Sequence, residues 1–199
     1  MRSLLVILLS LMLSEAYAQT DQIEKICKEY DEKLSRAAEE EIPESVPNLK
    51  VNCTLTKRAI GPVDHQITIY FDEHEHEVED MGDELMKEAV IRKVEFEISA
   101  ASYTVNYSYY FNEAGLLIKY VERSIGYECF LKQVYFNEKL PVRIQQDKIT
   151  GDNCMSEKEA EVYDHTELSK KEKASATWLL EDADKFRQIL FANYELFKD

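Results

Sequence analysis

The chain has 199 residues, of which 39 are acidic and 24 are Lys or Arg, and its formal net charge is −15. Nucleic acids and anionic membrane surfaces bind clustered Lys and Arg, so this charge excludes both classes of partner. Aromatic residues make up 11% of the chain beside only five Gly and four Pro, which excludes a disordered chain and predicts one domain with a real core.

Residues 1–18 have the pattern of a secretory signal peptide. Arg2 is the positive start, Leu4 to Leu13 is the apolar segment, and Ala16-Tyr17-Ala18 is a small-x-small cleavage site. The pattern predicts a periplasmic or secreted protein whose mature chain, 19–199, is a single domain. The apolar segment is shorter than a membrane span and no later segment is as apolar, so we expect no membrane span after signal removal.

Residues 21–41 predict an amphipathic helix. Its apolar residues, which include Ile23, Ile26, Cys27 and Tyr30, recur at the helical period. Two prolines after residue 41 end the pattern.

Residues 50–149 predict a sheet, because apolar and polar residues alternate with period two. Val94, Phe96 and Ile98, for example, alternate with Glu95 and Glu97. This alternation is typical of antiparallel strands with one apolar and one polar face.

A short string occurs three times, each time where a strand is expected to reach a turn: Tyr70-Phe71-Asp72-Glu73, Tyr110-Phe111-Asn112-Glu113 and Tyr135-Phe136-Asn137-Glu138. The second copy continues into Ala114-Gly115, a turn that predicts a hairpin pairing Phe111 with Leu116 and Tyr109 with Ile118. The first copy runs into a long acidic loop, 72–84, with a return strand over 88–98. Repeated hairpins predict a meander of six to seven strands.

The strings from Tyr109 to Ile118 and from Val134 to Leu140 resemble a hairpin repeat of exported bacterial proteins of unknown function, with the pattern YYFN-x-x-G-x-L-I. They are also similar to MORN-like repeats. The resemblance covers residues 65–148 and implies a hairpin meander in an envelope or secreted protein. It implies no catalytic residues.

The C-terminal residues, about 170–198, predict a second amphipathic helix, with a capping box formed by Ser169 and Glu172. An apolar helix face needs a surface to cover, so we expect both helices to pack on the apolar face of the sheet. The predicted fold class is therefore α+β.

Four cysteines follow the signal segment: Cys27, Cys53, Cys129 and Cys154. An even number in an oxidising compartment indicates two disulfides. Cys27 and Cys53 both belong to apolar faces that are expected to meet, whereas Cys129 points to the opposite side of its strand and the next strand leads to Cys154. The predicted pairs are therefore Cys27–Cys53 and Cys129–Cys154.

The repeat tyrosines Tyr70, Tyr110 and Tyr135 are the main candidate binding residues. Their neighbouring phenylalanines face the core, so the tyrosines project from the polar face. Tyrosine offers a large contact area with a polar tip, which favours a binding surface for a protein or carbohydrate. The alternative is cross-strand pairing that only stabilises the sheet.

His74 and His76 are candidate metal ligands in the acidic segment. Two residues apart in an extended chain, they face the same way and form half of a zinc or copper site. The alternative is a solvated acidic loop.

No catalytic or cofactor motif is present, and no cofactor is expected. The leading hypothesis is a non-enzymatic exported binding protein, such as an inhibitor or a surface accessory. The other hypotheses are a metal-binding envelope protein that uses His74 and His76, and a glycan hydrolase with two paired carboxylates.

Overall fold

The fold is an eight-stranded antiparallel meander with one long helix on each side. The computed structural model describes residues 2–39, 46–57, 61–77, 85–126, 128–150, 154 and 160–194. The elements are α1 (Arg2–Glu39), β1 (Asn48–Lys57), β2 (Gly61–Glu77), β3 (Leu85–Ala100), β4 (Tyr103–Phe111), β5 (Leu117–Ile125), β6 (Phe130–Asn137), β7 (Leu140–Lys148), β8 (Tyr163–His165) and α2 (Lys170–Tyr194). Within these ranges each strand pairs only with its neighbours in sequence. The α+β meander is confirmed, with β8 as an additional strand.

The main core lies between α2 and the apolar face of the sheet. Tyr109 and Phe111 of β4 point toward α2, and the rings of Tyr109 and Phe186 meet edge-on at 5.0 Å. The side chains that α2 buries recur at the helical period: Ala176, Leu179, Ala183, Phe186 and Leu190. Complete burial of a large apolar side chain contributes about 1.5–3 kcal/mol. This packing therefore fixes α2 on the apolar face.

The predicted capping box begins α2. The backbone N–H of Ser169 donates to Glu172 Oε2 at 2.7 Å, and the N–H of Glu172 donates to Ser169 Oγ at 3.3 Å. These bonds satisfy donors that a helix start leaves unpaired.

Within the described ranges, no helix has both the length and the apolar character that a membrane crossing requires.

The placement of α1 corrects the sequence prediction, because α1 packs on the opposite, polar face. Ile23 and Cys27 of α1 contact Tyr110, Ile118 and Tyr135 in a second, smaller core. Tyr109 and Tyr110 are consecutive in β4, so they point to opposite faces. The apolar stripe of α1 was correctly predicted, but its target is a face that only the repeat tyrosines make partly apolar. The helix also extends back to Arg2, through the predicted signal segment.

Three β-bulges change the predicted register. In the second hairpin Phe111 pairs with Leu117 and Tyr110 with Lys119, which leaves Ile118 as an extra residue. The predicted pairs of Phe111 with Leu116 and of Tyr109 with Ile118 are therefore wrong. The first and third hairpins contain the same irregularity, at Arg92 and Val142. Each bulge lies directly opposite the junction between Tyr and Phe of a repeat string.

The first hairpin is longer than predicted. β2 continues to Glu77 and β3 starts at Leu85, so half of the predicted acidic loop is strand. Glu75 is the register partner of Lys87 in this extension. Residues 78–84 lie outside the described part of the chain.

One predicted disulfide is present and the other is not. Cys129 and Cys154 are bonded, with their Cα atoms 5.8 Å apart, as predicted. Cys27 and Cys53 are both free thiols. Cys27 lies between α1 and the polar face, whereas Cys53 is on the α2 side of β1, so the sheet separates the two sulfur atoms. The misplaced α1 accounts for the wrong pairing.

Candidate functional site

A row of alternating tyrosines and cations crosses the polar face of the sheet. Six residues on neighbouring strands, β2 to β7, pair directly with one another in register. We call them the tyrosine–cation row: Tyr70, Lys93, Tyr110, Lys119, Tyr135 and Arg143. Lys93 Nζ lies 5.1 Å from the ring centre of Tyr110, and Lys119 Nζ lies 5.3 Å from that of Tyr135. Stacking of cations on these rings is favourable and orders the row.

Acidic side chains of α1 bind this row from above. Asp31 accepts hydrogen bonds from Lys93 Nζ at 2.7 Å and from the Tyr110 hydroxyl at 2.9 Å. Glu24 Oε1 accepts from Lys119 Nζ and from the Tyr135 hydroxyl, both at 2.5 Å. Each carboxylate thus binds one lysine and one tyrosine of adjacent strands.

The spacing of the two acids matches the spacing of the strands. Glu24 and Asp31 are one heptad apart, which is about 10.5 Å along a helix and returns to nearly the same face. Glu24 reaches β5 and β6 and Asp31 reaches β3 and β4, a displacement of two strands, or about 9.6 Å. The helix therefore crosses the strands so that the distance between its two acidic residues matches the distance between the lysine–tyrosine pairs that they bind. Beyond Asp31 along α1, Lys33 Nζ pairs with Asp72 of β2 at 3.0 Å.

Burial makes these contacts strong and holds the phenols protonated. Tyr110 is 8% and Tyr135 is 2% exposed. Burial, reinforced by the neighbouring carboxylate, raises the pKa of both tyrosines. Burial alone lowers the pKa of Lys93, but the hydrogen bonds that its ammonium donates to Asp31 and Glu95 outweigh burial, and the net effect raises this pKa.

The candidate binding tyrosines therefore occupy two different environments. While α1 is in place, Tyr110 and Tyr135 offer almost no area to an external partner, which corrects the expectation of an open tyrosine surface. Tyr70 is partly exposed at the end of the row, and its hydroxyl donates to Glu95 Oε2 at 3.2 Å. The pKa of Tyr70 is raised to about 12, mainly by burial and further by the neighbouring Glu95.

The candidate metal ligands lie far along the first hairpin. His74 is exposed on β2, opposite Glu88, and His76 follows on the same face, opposite Met86. The side chain of His76 lies outside the described part of the chain. Within the described residues, no group of three or more His, Cys, Asp or Glu side chains is arranged to hold a metal ion.

The cations of the row were missed by the sequence reasoning, although the sequence contains a signal for them. Each repeat string is followed, after its turn, by a Leu, Ile or Pro, one further residue and a cation: Ile91-Arg92-Lys93, Leu117-Ile118-Lys119 and Pro141-Val142-Arg143. The repeat is therefore longer than the four-residue string. Its return strand supplies one bulge residue and one cation.

Two open grooves follow α1 along the polar face. The first, of about 650 Å³, has Tyr110 and Lys119 in its floor and Glu24, Asp31 and Glu32 among its lining residues. The second, of about 600 Å³, lies on the other side of the helix. Its lining includes Glu29, Tyr30, Lys33, Asp72 and Arg92.

Tyr30 lines the second groove and carries a buried, unused hydrogen-bonding group. Within the described residues, the buried hydroxyl of Tyr30 has no hydrogen-bond partner. The pKa of Tyr30 is raised, mainly by burial and further by the charge of Asp72. The hydroxyl therefore stays protonated and can donate a hydrogen bond. Buried polar groups are nearly always paired, so an orphan in a groove indicates a place for a ligand or water.

No protein-family model, curated protein or solved structure matches the chain.

Proposed function

We propose that this chain is a non-enzymatic exported binding protein whose partner, a protein, contacts the polar face along both sides of α1. The observation that carries the proposal is the pair of grooves beside α1, one with the orphan hydroxyl of Tyr30. The Cys129–Cys154 disulfide supports a periplasmic or secreted location, because disulfides persist in oxidising compartments.

The shape of the site favours binding over hydrolysis. Both grooves have the volume of a ligand site, but they are open along the helix and suit an extended segment of a partner. The polar depression that contains Glu95 and Glu97 is smaller, at about 250 Å³. A glycan hydrolase needs an enclosing cleft with a carboxylate on each side of the bond, and this depression is below the usual size of such a site.

Charge indicates the chemistry of the partner. Glu29 and Glu32 are exposed, one beside each groove, and among the described residues they pair only with Lys25 and Lys28, in exposed contacts on the same helix. The whole chain carries −15. Complementary charge speeds association and selects partners, so the partner segment should carry Lys or Arg.

Two variants test the proposal in a capture assay. Parent and variants are immobilised, and the amount of partner that each captures from culture or envelope extract is measured. Tyr30→Phe removes only the orphan hydroxyl, so we expect weaker capture of the partner with unchanged or slightly raised stability. Glu29→Lys/Glu32→Lys reverses the charge of both grooves, and we expect at least a tenfold loss of capture. Protease treatment of the extract should abolish capture if the partner is a protein.

The matched control is Glu128→Lys/Glu181→Lys, which makes the same change of charge at two exposed sites away from the grooves. Equal loss of capture in this control would show a general charge effect. Full capture by both groove variants would refute the proposed site.

A further inference from the structure

β1 is an open sheet edge in the described part of the chain. It forms one end of the sheet and pairs on one side only, with β2, within the described residues. It has ten residues in unbroken register, with no bulge and no proline. The opposite edge strand, β8, has only three residues. Natural edges are usually short, bulged or interrupted by proline, since an open edge pairs readily with another strand.

The edge also exposes apolar side chains. Val51 is 36% and Leu55 is 47% exposed. They lie on the α2 side of β1, on each side of the exposed thiol of Cys53. An exposed apolar pair beside open backbone groups provides both parts of a strand-pairing surface.

We propose that two copies of this chain pair through β1, antiparallel and centred on Cys53, so that their sheets become continuous. In this register Val51 faces Leu55 of the second copy, and Leu55 faces its Val51. Asn52 faces Thr54, and Lys50 faces Thr56. The two exposed apolar residues meet each other and no like charges are opposed, although Leu49 faces Lys57 at each end, so the centre of the strand is complementary to itself, as a twofold interface requires.

Charge favours this edge over the rest of the surface. The chain carries −15, so two copies repel each other over most of their area. The segment from Asn48 to Lys57 contains two lysines and no acid. Pairing at β1 therefore brings together the part of the chain where repulsion between acidic copies is least.

The register makes a chemical prediction about Cys53. Directly opposed residues of antiparallel strands have Cα atoms about 4.5–5.5 Å apart, which lies within the range of a disulfide. With oxidised glutathione as the oxidant, the two Cys53 thiols form one S–S bond and lose two protons and two electrons. The glutathione disulfide accepts them and leaves as two glutathione thiols.

The test is sedimentation equilibrium of the purified protein under reducing conditions. We expect a dimer for the parent and for Cys53→Ser, and a monomer for Val51→Lys/Leu55→Lys, which sets four lysines around the twofold axis. The matched control is Leu140→Lys/Phe191→Lys, which makes the same substitutions at two other exposed apolar sites. This control should remain a dimer.

Oxidised glutathione and peptide mapping then test the register. We expect a Cys53–Cys53 cross-linked peptide from the parent and none from Val51→Lys/Leu55→Lys. A monomeric parent, a dimer that persists in Val51→Lys/Leu55→Lys, or a parent that yields only Cys53–glutathione would each overturn the proposal.

Discussion

Replacing Glu24 and replacing Lys119 should lower the free energy of unfolding by very different amounts, although both changes break the same ion pair. Lys119 is 7% exposed and Glu24 is 45% exposed. Glu24→Ala leaves a buried ammonium without its carboxylate, and loss of one partner of a fully buried pair costs about 3–5 kcal/mol. Because Glu24 is nearly half exposed, we reduce that figure to about 2 kcal/mol. The loss of the hydrogen bond from Tyr135 adds about 1 kcal/mol, for a total of about 3 kcal/mol.

Lys119→Met should cost much less. Glu24 remains accessible to water and still accepts the hydrogen bond from Tyr135. The methionine side chain has a similar length and lies beside the apolar contacts of α1. Replacing one member of a buried pair by an apolar residue is inexpensive when the remaining charge is solvated, so we expect a cost within about 1 kcal/mol.

Urea unfolding of the parent, both single variants and the double variant measures this asymmetry. The double variant also lacks the hydrogen bond from Tyr135, so it should be about 1 kcal/mol less stable than Lys119→Met. Because it has no unpaired ammonium, it should still be about 1–2 kcal/mol more stable than Glu24→Ala. Glu29→Ala, which breaks only an exposed pair on the same helix, is the control and should change stability by less than about 0.5 kcal/mol.

A second assay covers the case in which α1 detaches before the sheet unfolds. Cys27 lies on the buried side of α1, against the sheet, so the labelling rate of its thiol reports detachment of the helix. A loss of about 3 kcal/mol corresponds to an increase of about two orders of magnitude in that rate. The reasoning fails if Glu24→Ala changes neither stability nor labelling, or if the double variant is as unstable as Glu24→Ala alone.

Three further predictions concern titration, thiols and one turn. Burial raises the pKa of Tyr110, so this residue contributes its full stabilisation below about pH 10, where the unfolded phenol is protonated. The stabilisation is lost as the pH rises further, so the tyrosinate absorbance of Tyr110 should appear together with unfolding. Burial raises the pKa of Cys27 to about 12, so a thiol reagent should label Cys53 in the native protein and Cys27 only after α1 opens or the chain unfolds. Glu138 and Lys139 have positive φ, 47° and 70°, in a two-residue turn, so Glu138→Asn/Lys139→Gly should stabilise by about 1–2 kcal/mol in thermal unfolding, and an unchanged Tm would contradict this.

The local elements could be predicted from the sequence, because each follows a repeating physical pattern. Period-two alternation identified the strands, and Ser169 with Glu172 identified the start of α2. The Cys129–Cys154 pair followed from the side of the strand that Cys129 occupies. The strands and the start of α2 needed only neighbouring residues, the disulfide needed only the adjacent strand as well, and the structure confirms all three.

The bulges and the side chosen by α1 could not be predicted in the same way. A bulge at Ile118 looks in sequence like two adjacent apolar residues, which also occur at strand ends. The apolar stripe of α1 fits any surface with some apolar area. Only the pairing of Glu24 with Lys119, and of Asp31 with Lys93, distinguishes the two faces, and these partners are far apart in sequence.

The bulges explain why a polar sheet face can hold a helix. Each bulge adds one residue on the α1 side of its hairpin, and the added side chains are Arg92, Ile118 and Val142. Ile118 and Val142 contribute apolar contacts to the second core, and Arg92 lies over the ring of Tyr30 at 5.8 Å. A bulge also bends its strand and increases the local twist. Because all three occur in the same row, beside the tyrosines and cations, the repeat provides both the charges and the apolar area that α1 binds. The repeat is thus a helix-binding unit as much as a hairpin-forming one, and it binds α1 on the face that the sequence predicted to be polar and open.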